Sequence, residues 1–247
     1  MAYENQQYGG QGQPYGQPPQ YARGGYAPPQ YVQQQGAEMA KAPGTISRRA
    51  YNFLTFGIVT ASFALVWITQ TVFNLQAPGL PVSIAAIVAS FVGIFVLGAG
   101  KKRQSIPMTL VGYLLFTCTF GVSLTFVLAR YNIGTVAYAF ACTACLSGIF
   151  LILGVMFPDF FAKVGRICVL ALIGVIIVEV VATMIFHADQ TIFDYIVIAI
   201  FCGILGYDSY RMAQDDPTVP NAIWHAADIY ADMVNILIRI LRIIGDR

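Results

Sequence analysis

The chain has 247 residues, of which 57% are hydrophobic and only 11% are charged. Soluble domains carry about 25% charged residues, so the composition predicts an integral membrane protein. The net charge of +2 is too small to indicate a partner such as nucleic acid.

Residues 1–47 are rich in Gln, Gly, Pro and Tyr and contain almost no aliphatic side chains. Such a segment cannot bury enough apolar surface to offset its ordering entropy, so we predict a disordered tail. The tail contains "PPQY" twice, at 18–21 and 28–31. This repeat either docks a WW domain or simply reflects the composition of the tail, and we favour the second interpretation.

Seven apolar segments follow the tail, each approaching or exceeding the length of about 20 residues that crosses a bilayer. Pro, Gly or charged residues separate them, as expected of loops. The alternating pattern that a membrane β-barrel requires is not seen. We therefore predict an all-α integral membrane protein in which residues 48–247 form a seven-helix bundle. The predicted segments are 51–73, 81–99, 107–129, 134–156, 167–187, 192–212 and 222–244.

Lysine and arginine are unevenly distributed among the loops. Arg48 and Arg49 precede the first segment and 101–103 are all basic, whereas the first and fifth loops have no basic residue. Because cytoplasmic loops carry the excess of Lys and Arg, we predict a cytoplasmic N-terminus. Two topologies follow for the C-terminus. Seven crossings place it outside the cell, whereas a re-entrant last segment returns it to the cytoplasm. We favour seven crossings.

The five cysteines all lie in apolar runs without the flanking residues of a zinc site or a disulfide framework. Cys142 and Cys145 form a CxxC, but no histidine or second CxxC lies nearby. We interpret both as small side chains that pack between helices.

The last segment carries polar side chains at a depth where charges are costly. An ionisable residue near the middle of a span costs about 2.5–3.5 kcal/mol on insertion scales. Five polar residues fall within a wedge of about 80° when successive residues turn by about 100°, and the opposite side is apolar. The five are His225, Asp228, Asp232, Asn235 and Arg239. We predict that this stripe faces the bundle interior and makes the last helix central; the alternative is an amphipathic helix on the membrane surface.

Asp208 and Glu179 lie within the sixth and fifth segments. Asp208 precedes Arg211 by one helical turn, so it is either a carboxylate paired with Arg211 at the membrane edge or a partner of Asp232. The short link between the last two segments predicts that they are antiparallel neighbours. On straight helices the two aspartates would differ in depth by several residues, so periodicity alone does not establish their contact.

The stretch "ILGYDSYRM", followed by "IWHAADIYADMVNILIRILRIIGD", resembles the closing signature of the Bax inhibitor-1 family, the transmembrane Bax inhibitor motif proteins. Members typically have Tyr-Asp or Phe-Asp late in the sixth helix, then an aromatic-x-Asp pattern and a downstream Asn in the seventh. Asp208, Asp232 and Asn235 occupy these positions here. The resemblance covers 48–247 and implies a seven-helix bundle with the last helix at its centre.

The resemblance also implies a pH-sensitive calcium leak in a membrane, without a cofactor. Asp208 and Asp232 match two family aspartates that share a proton and act as sensor and gate, and they are candidates for transient calcium contact. Arg103 is the nearest counterpart of an arginine that latches onto the sixth-helix aspartate, with Lys101 and Lys102 as rivals.

Some family members carry a glutamate in the second helix that this chain lacks, and Glu179 is a candidate replacement. Further candidates for lining the ion path or tuning the pair are His225, Asp228, Asn235 and Arg239.

Two other classes compete with a leak. One is a non-transporting regulator that binds other membrane proteins, as parts of this family do. The other is an intramembrane aspartyl protease, which also uses two aspartates that share a proton. Its second motif is Gly-x-Gly-Asp, whereas Asp232 has no glycine on that side. We therefore predict a membrane protein of the bacterial cell membrane that is not an enzyme and whose ligands are calcium ions and protons.

Overall fold

The computed structural model describes residues 44–71, 79–187 and 189–245, so the predicted tail lies outside the described part except for its last four residues. Seven α-helices occupy these ranges, and the β-structure there is a single isolated bridge. The predicted all-α fold is confirmed. The helices are α1 (Arg48–Thr71), α2 (Leu80–Lys102), α3 (Ile106–Leu128), α4 (Ile133–Met156), α5 (Pro158–Phe186), α6 (Thr191–Gln214) and α7 (Val219–Gly245).

The helix starts follow from local sequence. Three helices carry a proline in the first turn, where its missing N–H leaves no hydrogen bond unmade. Asn132 caps α4 by accepting a hydrogen bond from the backbone N–H of Thr135. The predicted start of the fifth segment at 167 was wrong, because α5 begins at Pro158. Asp159 lies in its first turn, where the helix dipole favours an acid. The stretch "PDFFAKVGR" therefore forms the first turns of α5 and not a loop.

Six of the seven helices, α1 to α6, are long and apolar enough to cross a membrane. The helix α5 shows the lipid-facing character most clearly, since Leu170, Met184 and Phe186 are each more than 70% exposed. Side chains of this kind are stable at such exposure only in an apolar solvent. The less apolar α7 is not among the six, so a seventh crossing stays a prediction.

The last helix is enclosed by the others, as its polar stripe predicted. It packs against α1, α2, α3, α4 and α6. Ile229, Ile236 and Leu237 on its apolar side are fully buried, and Asp232 on its polar side is only 9% exposed. A helix lying on the membrane surface would leave one side exposed, so the structure favours the central position.

The segment before α1 is tied to the link between α6 and α7. Thr45 and Thr218 form an antiparallel bridge, in which Ile46 donates its N–H to the carbonyl of Pro217 at 2.8 Å. Arg48 donates from its guanidinium to the backbone carbonyls of Met212 and Asp215. These bonds hold the start of α7 in place.

The helices α2 and α3 pack closely because glycines let their backbones approach. A Cβ atom added at Gly93 would lie 2.5 Å from the backbone nitrogen of Phe116, whereas one added at Gly174 on α5 would meet nothing within 4 Å. The contact is between main chains, so no side-chain rotation relieves it.

We expect Gly93→Ala to destabilise the protein by about 1–3 kcal/mol through overpacking. Gly174→Ala is the matched control and should be neutral or slightly stabilising, because alanine favours the helix by up to about 1 kcal/mol. Thermal unfolding in detergent measures both. Equal melting temperatures for the two variants would contradict the close packing of α2 on α3.

Candidate functional site

The end of α6 and the first half of α7 place polar side chains opposite one another in antiparallel register. Successive contacts step by three or four residues along both helices, as expected for antiparallel neighbours. The pairs are Asp215 with His225, Arg211 with Asp228, and Asp208 with Asp232.

This register depends on the link 215–218. Asp215 has an extended backbone, with φ −69° and ψ 153°. An extended residue advances the chain by about 3.3 Å, against 1.5 Å in a helix. The link therefore runs beyond the end of α6, and the first two turns of α7 climb back before its residues lie level with α6. Asp232 thereby reaches the depth of Asp208.

Three acids and one arginine form what we call the aspartate cluster: Asp208, Arg211, Asp228 and Asp232. Arg211 donates to Asp208 Oδ1 at 3.2 Å and lies 3.7 Å from Asp228 Oδ2. Asp208 and Asp232 are only 4% and 9% exposed.

The buried carboxyl groups of Asp208 and Asp232 are close enough to interact electrostatically. Within the described ranges no N–H or O–H donor reaches Asp232 Oδ2. Two carboxylates can only accept hydrogen bonds, so a hydrogen bond between them requires a proton on one of the pair.

A second set of charges lies beside the cluster, nearer the end of the bundle. His225 is fully buried, and its Nε2 lies 2.9 Å from Asp215 Oδ2. Because a carboxylate offers only acceptors, Nε2 donates. Lys101 donates to the same oxygen at 3.1 Å. The hydrogen bond from His225 and the contact with Lys101 hold the pKa of the Asp215 carboxyl well below its usual range.

The opposite end of α7 carries what we call the arginine cluster: Glu179 from α5, Asp194 from α6, and Arg239 and Arg242 from α7. Arg239 donates to Glu179 Oε1 at 2.6 Å and to Asp194 Oδ1 at 2.8 Å. Arg242 donates to the same two carboxylates and to Gln190. Two positive and two negative charges therefore balance inside the bundle.

The family model described as Inhibitor of apoptosis-promoting Bax1 matches residues 44–247. The chain belongs to this family. The match spans all seven helices and both charged clusters, and so confirms the resemblance drawn from the two closing motifs.

Three bacterial relatives resemble the chain at low identity. The inner membrane protein YbhL of Escherichia coli K12 is 23% identical over 215 residues, which cover 82% of this chain and 92% of YbhL. An uncharacterized protein of Borreliella burgdorferi is 26% identical, covering 66% of this chain and 74% of its own. An uncharacterized membrane protein of Streptococcus pyogenes serotype M6 is 25% identical, covering 65% and 72%. No solved structure matches the chain significantly.

The predicted site residues of this family member fall into three groups. Asp208, Asp228 and Asp232 come together in the aspartate cluster, and His225 lies beside it. Arg239 and Glu179 are instead paired with each other in the arginine cluster. Asn235 donates from its side chain to the backbone carbonyl of Ala231 at 2.9 Å.

The candidate latch Arg103 is not brought to Asp208 in this structure. Arg103 caps the exposed end of α2, while Arg211 on α6 itself pairs with Asp208. The basic side chain of α2 that reaches α7 is Lys101, through Asp215. Lys101 points inward because it lies one helical turn after the buried Leu97.

Sequence reasoning missed Asp194, Asp215 and Arg242 as partners. Asp194 carried a usable signal, because it is an acid inside a predicted span. Asp215 and Arg242 lie near helix ends, where charges are common, so nothing in the sequence marks them as partners of the buried His225 and Asp194.

Within the described part of the chain no three His, Cys, Asp or Glu side chains are arranged to hold a metal ion. A calcium ion contacting Asp208 and Asp232 would thus need water or backbone oxygens to complete the six to eight ligands that it prefers.

We expect Arg239→Ala to destabilise the protein by about 3–5 kcal/mol, because removing one partner of a buried ion pair leaves an uncompensated charge. Arg103→Ala removes an exposed arginine and serves as the control, with a change below about 0.5 kcal/mol. Thermal unfolding in detergent distinguishes them. An Arg239 variant as stable as the control would show that the arginine cluster contributes little.

Asp215 makes a pH-dependent contribution to stability with a defined sign. Its pKa in the folded protein is depressed, so the stabilisation is present above the ordinary value of about 3.9 and is lost as the pH falls further. Asp215→Asn should lower the free energy of unfolding by roughly 1 kcal/mol near neutral pH. Below about pH 3.9, the melting temperature of the variant should fall less steeply with pH than that of the wild-type protein. The exposed Asp216→Asn is the control. If the melting temperature of the Asp215 variant falls with acid as steeply as that of the wild type, Asp215 does not make this contribution.

Proposed function

We propose that this protein is a pH-sensitive calcium leak in the cell membrane of a bacterium, with a cytoplasmic N-terminus and with Asp208 and Asp232 as its proton-sharing sensor and gate. The observation that supports the proposal is the burial of these two carboxyl groups on adjacent helices, where they interact electrostatically. The calcium ion is the transported species and not a resident cofactor.

Charge balance supports a joint response to protons and calcium. The aspartate cluster contains three carboxyl groups and one guanidinium group, so full ionisation leaves two uncompensated negative charges. Isolated charges inside a bundle are strongly disfavoured. Two protons or one calcium ion would neutralise the excess, and carboxylate oxygen is the ligand that calcium prefers. Protons and calcium should therefore compete for the cluster.

A cavity lies at the end of the bundle, beside Asp215. It measures about 510 Å³ and is lined by α2, the loop after α2, the 215–218 link and α7, among them Lys101, Gln104, Asp215 and Trp224. Its lining is partly polar, unlike that of the groove between α1 and α4. Water in this cavity would reach Asp215 and, through it, His225.

The charge state of the same two carboxyl groups would control the gate. A shared proton links α6 to α7 by a hydrogen bond, whereas two ionised carboxylates repel each other or draw in a cation. Either change alters the relative stability of two arrangements of α6 and α7, which is how a local charge change moves a packed helix pair.

The test is calcium flux into liposomes that contain the purified protein, measured with a trapped fluorescent indicator from about pH 5 to 8. We expect flux through the wild-type protein to change with pH, and the double variant Asp208→Asn, Asp232→Asn to show nearly the same rate throughout. Asp159→Asn, an exposed acid in the first turn of α5, should retain the wild-type profile.

A double variant with an unchanged pH profile would refute the sensor assignment. A wild-type protein without flux at any pH would refute the leak itself and favour the non-transporting regulator.

A further inference from the structure

A groove runs along the bundle between α1 and α4. Each of these helices packs more extensively against α7 than against the other, so a space stays open between them. Phe56 and Trp67 mark its two ends on α1, and Met233 of α7 also lines it. Its volume of about 530 Å³ lies within the range of about 300–1,000 Å³ that is typical of ligand pockets.

Small side chains on α4 create this space. Ala137, Ala141, Ala144 and Gly148 all line the groove. They follow one another at intervals of three or four residues, so they form one stripe along the helix. A Cβ atom added at Gly148 would meet nothing within 4 Å. The α4 wall therefore leaves room that larger side chains would fill.

The groove has a buried floor and opens away from the bundle. Val59, Phe63 and Phe140 line it and are buried, and the ring centroids of Phe63 and Phe140 lie 4.7 Å apart. Thr60 on one wall and Ala144 on the other are exposed. Both walls are helices long and apolar enough to cross a membrane. In a bilayer the open side of the groove therefore faces hydrocarbon.

The chemistry of the lining favours an apolar ligand. Among the described residues that line the groove none is charged, and two, Thr60 and Ser147, carry a hydroxyl group. Ser147 is only 1% exposed, and its hydroxyl has no hydrogen-bond partner among the described residues. Ions and polar molecules lose hydration on entering such a site and gain few hydrogen bonds in return, whereas a hydrocarbon loses nothing.

The dimensions of the groove fit a single hydrocarbon chain. From Phe56 to Trp67, α1 rises by about 16 Å, which is about half of the 30 Å hydrocarbon core of a bilayer. Over this length the volume of the groove gives a mean cross-section of about 33 Å². A helix about 10 Å across would need about 80 Å². The groove is thus too narrow for a helix of a second copy, but it admits an extended chain whose carbons contact the walls at about 3.5–4.0 Å.

Trp67 marks the end of the groove that lies nearer the membrane surface. It lies within the last two turns of α1, and Ala137 lies within the first two turns of α4. Tryptophan is enriched where the hydrocarbon core meets the headgroups. A lipid whose chain occupied the groove would therefore have its headgroup at this end of the bundle.

We infer that the groove between α1 and α4 is a binding site for one acyl chain of a membrane lipid, whose headgroup lies at the end marked by Trp67. The chain would contact Met233 and so touch the helix that carries the aspartate cluster. The site would exist whether or not the protein conducts calcium.

A tryptophan on the floor of the groove tests this site. Phe140→Trp, in a chain that also carries Trp67→Phe and Trp224→Phe, should be placed in bilayers of a phospholipid with bromine atoms in its acyl chains. Bromine quenches indole fluorescence only at short range. We expect Phe140→Trp to be quenched nearly as strongly as a tryptophan at the lipid-exposed Leu170 of α5. A tryptophan at Phe116, which is as buried as Phe140 but lies outside the groove, should be hardly quenched. An unquenched Phe140→Trp would overturn the inference.

Filling the groove provides a matched pair of variants. Gly148→Leu enters the groove without a backbone clash, and Gly174→Leu lies on the open face of α5, where an added Cβ atom also meets nothing within 4 Å. Gly148→Leu should abolish the quenching of Phe140→Trp, and Gly174→Leu should not. Quenching that survives Gly148→Leu would overturn the assignment to this groove.

Native mass spectrometry gives a second readout that needs no reporter tryptophan. The wild-type protein and Gly174→Leu should each retain a phospholipid that Gly148→Leu has lost. Equal retention by all three proteins would contradict the inference.

Two further results would assign the groove to another occupant and overturn the inference. Ser147→Ala should leave the quenching unchanged, because an acyl chain needs no hydroxyl group; a loss of quenching would indicate a polar ligand. An unquenched Phe140→Trp in a dimer that Gly148→Leu converts to a monomer would indicate a second copy of the chain.

Discussion

The structure depends on one constraint: α7 carries ionisable side chains into the centre of a membrane bundle, and each must find a partner there. Lipid offers none, and an isolated buried charge costs several kcal/mol. The partners come from α5 and α6 at one end of α7 and from α6 at the other. This requirement decides which charged side chains of α5 and α6 meet α7, whereas α1, α3 and α4 pack against α7 through the apolar core.

The two ends of α7 satisfy the constraint differently. In the arginine cluster two guanidinium groups face two carboxylates, so the charges cancel without any proton. In the aspartate cluster one guanidinium group faces three carboxyl groups, so the balance requires protons or a cation. In the function proposed above, the second arrangement changes its charge in response to pH, while the balanced end holds α7 fixed.

The aspartates themselves could be predicted because a carboxylate inside a span is rare, and the helical period placed Asp228 and Asp232 on one stripe. Their contact with Asp208 could not, because helical rise alone puts Asp232 too deep. The link 215–218 carries the chain past the end of α6, as the pairing of Asp215 with His225, inside α7, shows. The sequence also could not predict which basic residue at the end of α2 points inward. Lys101, Lys102 and Arg103 all carry a positive charge, and only the contacts of Lys101 with Asp215 and Trp224 distinguish it.

The sequence by itself determined the membrane class, the number and order of the helices, the polar stripe of α7 and the family, because hydropathy, helical period and short motifs are local properties of the chain. Tertiary structure alone decided which charges are paired. Glu179 meets Arg239 across 60 residues and Asp215 meets His225 across a link that reverses the chain. Such pairings depend on where each helix begins and on which side chains face inward, and these are set by the packing of all seven helices together.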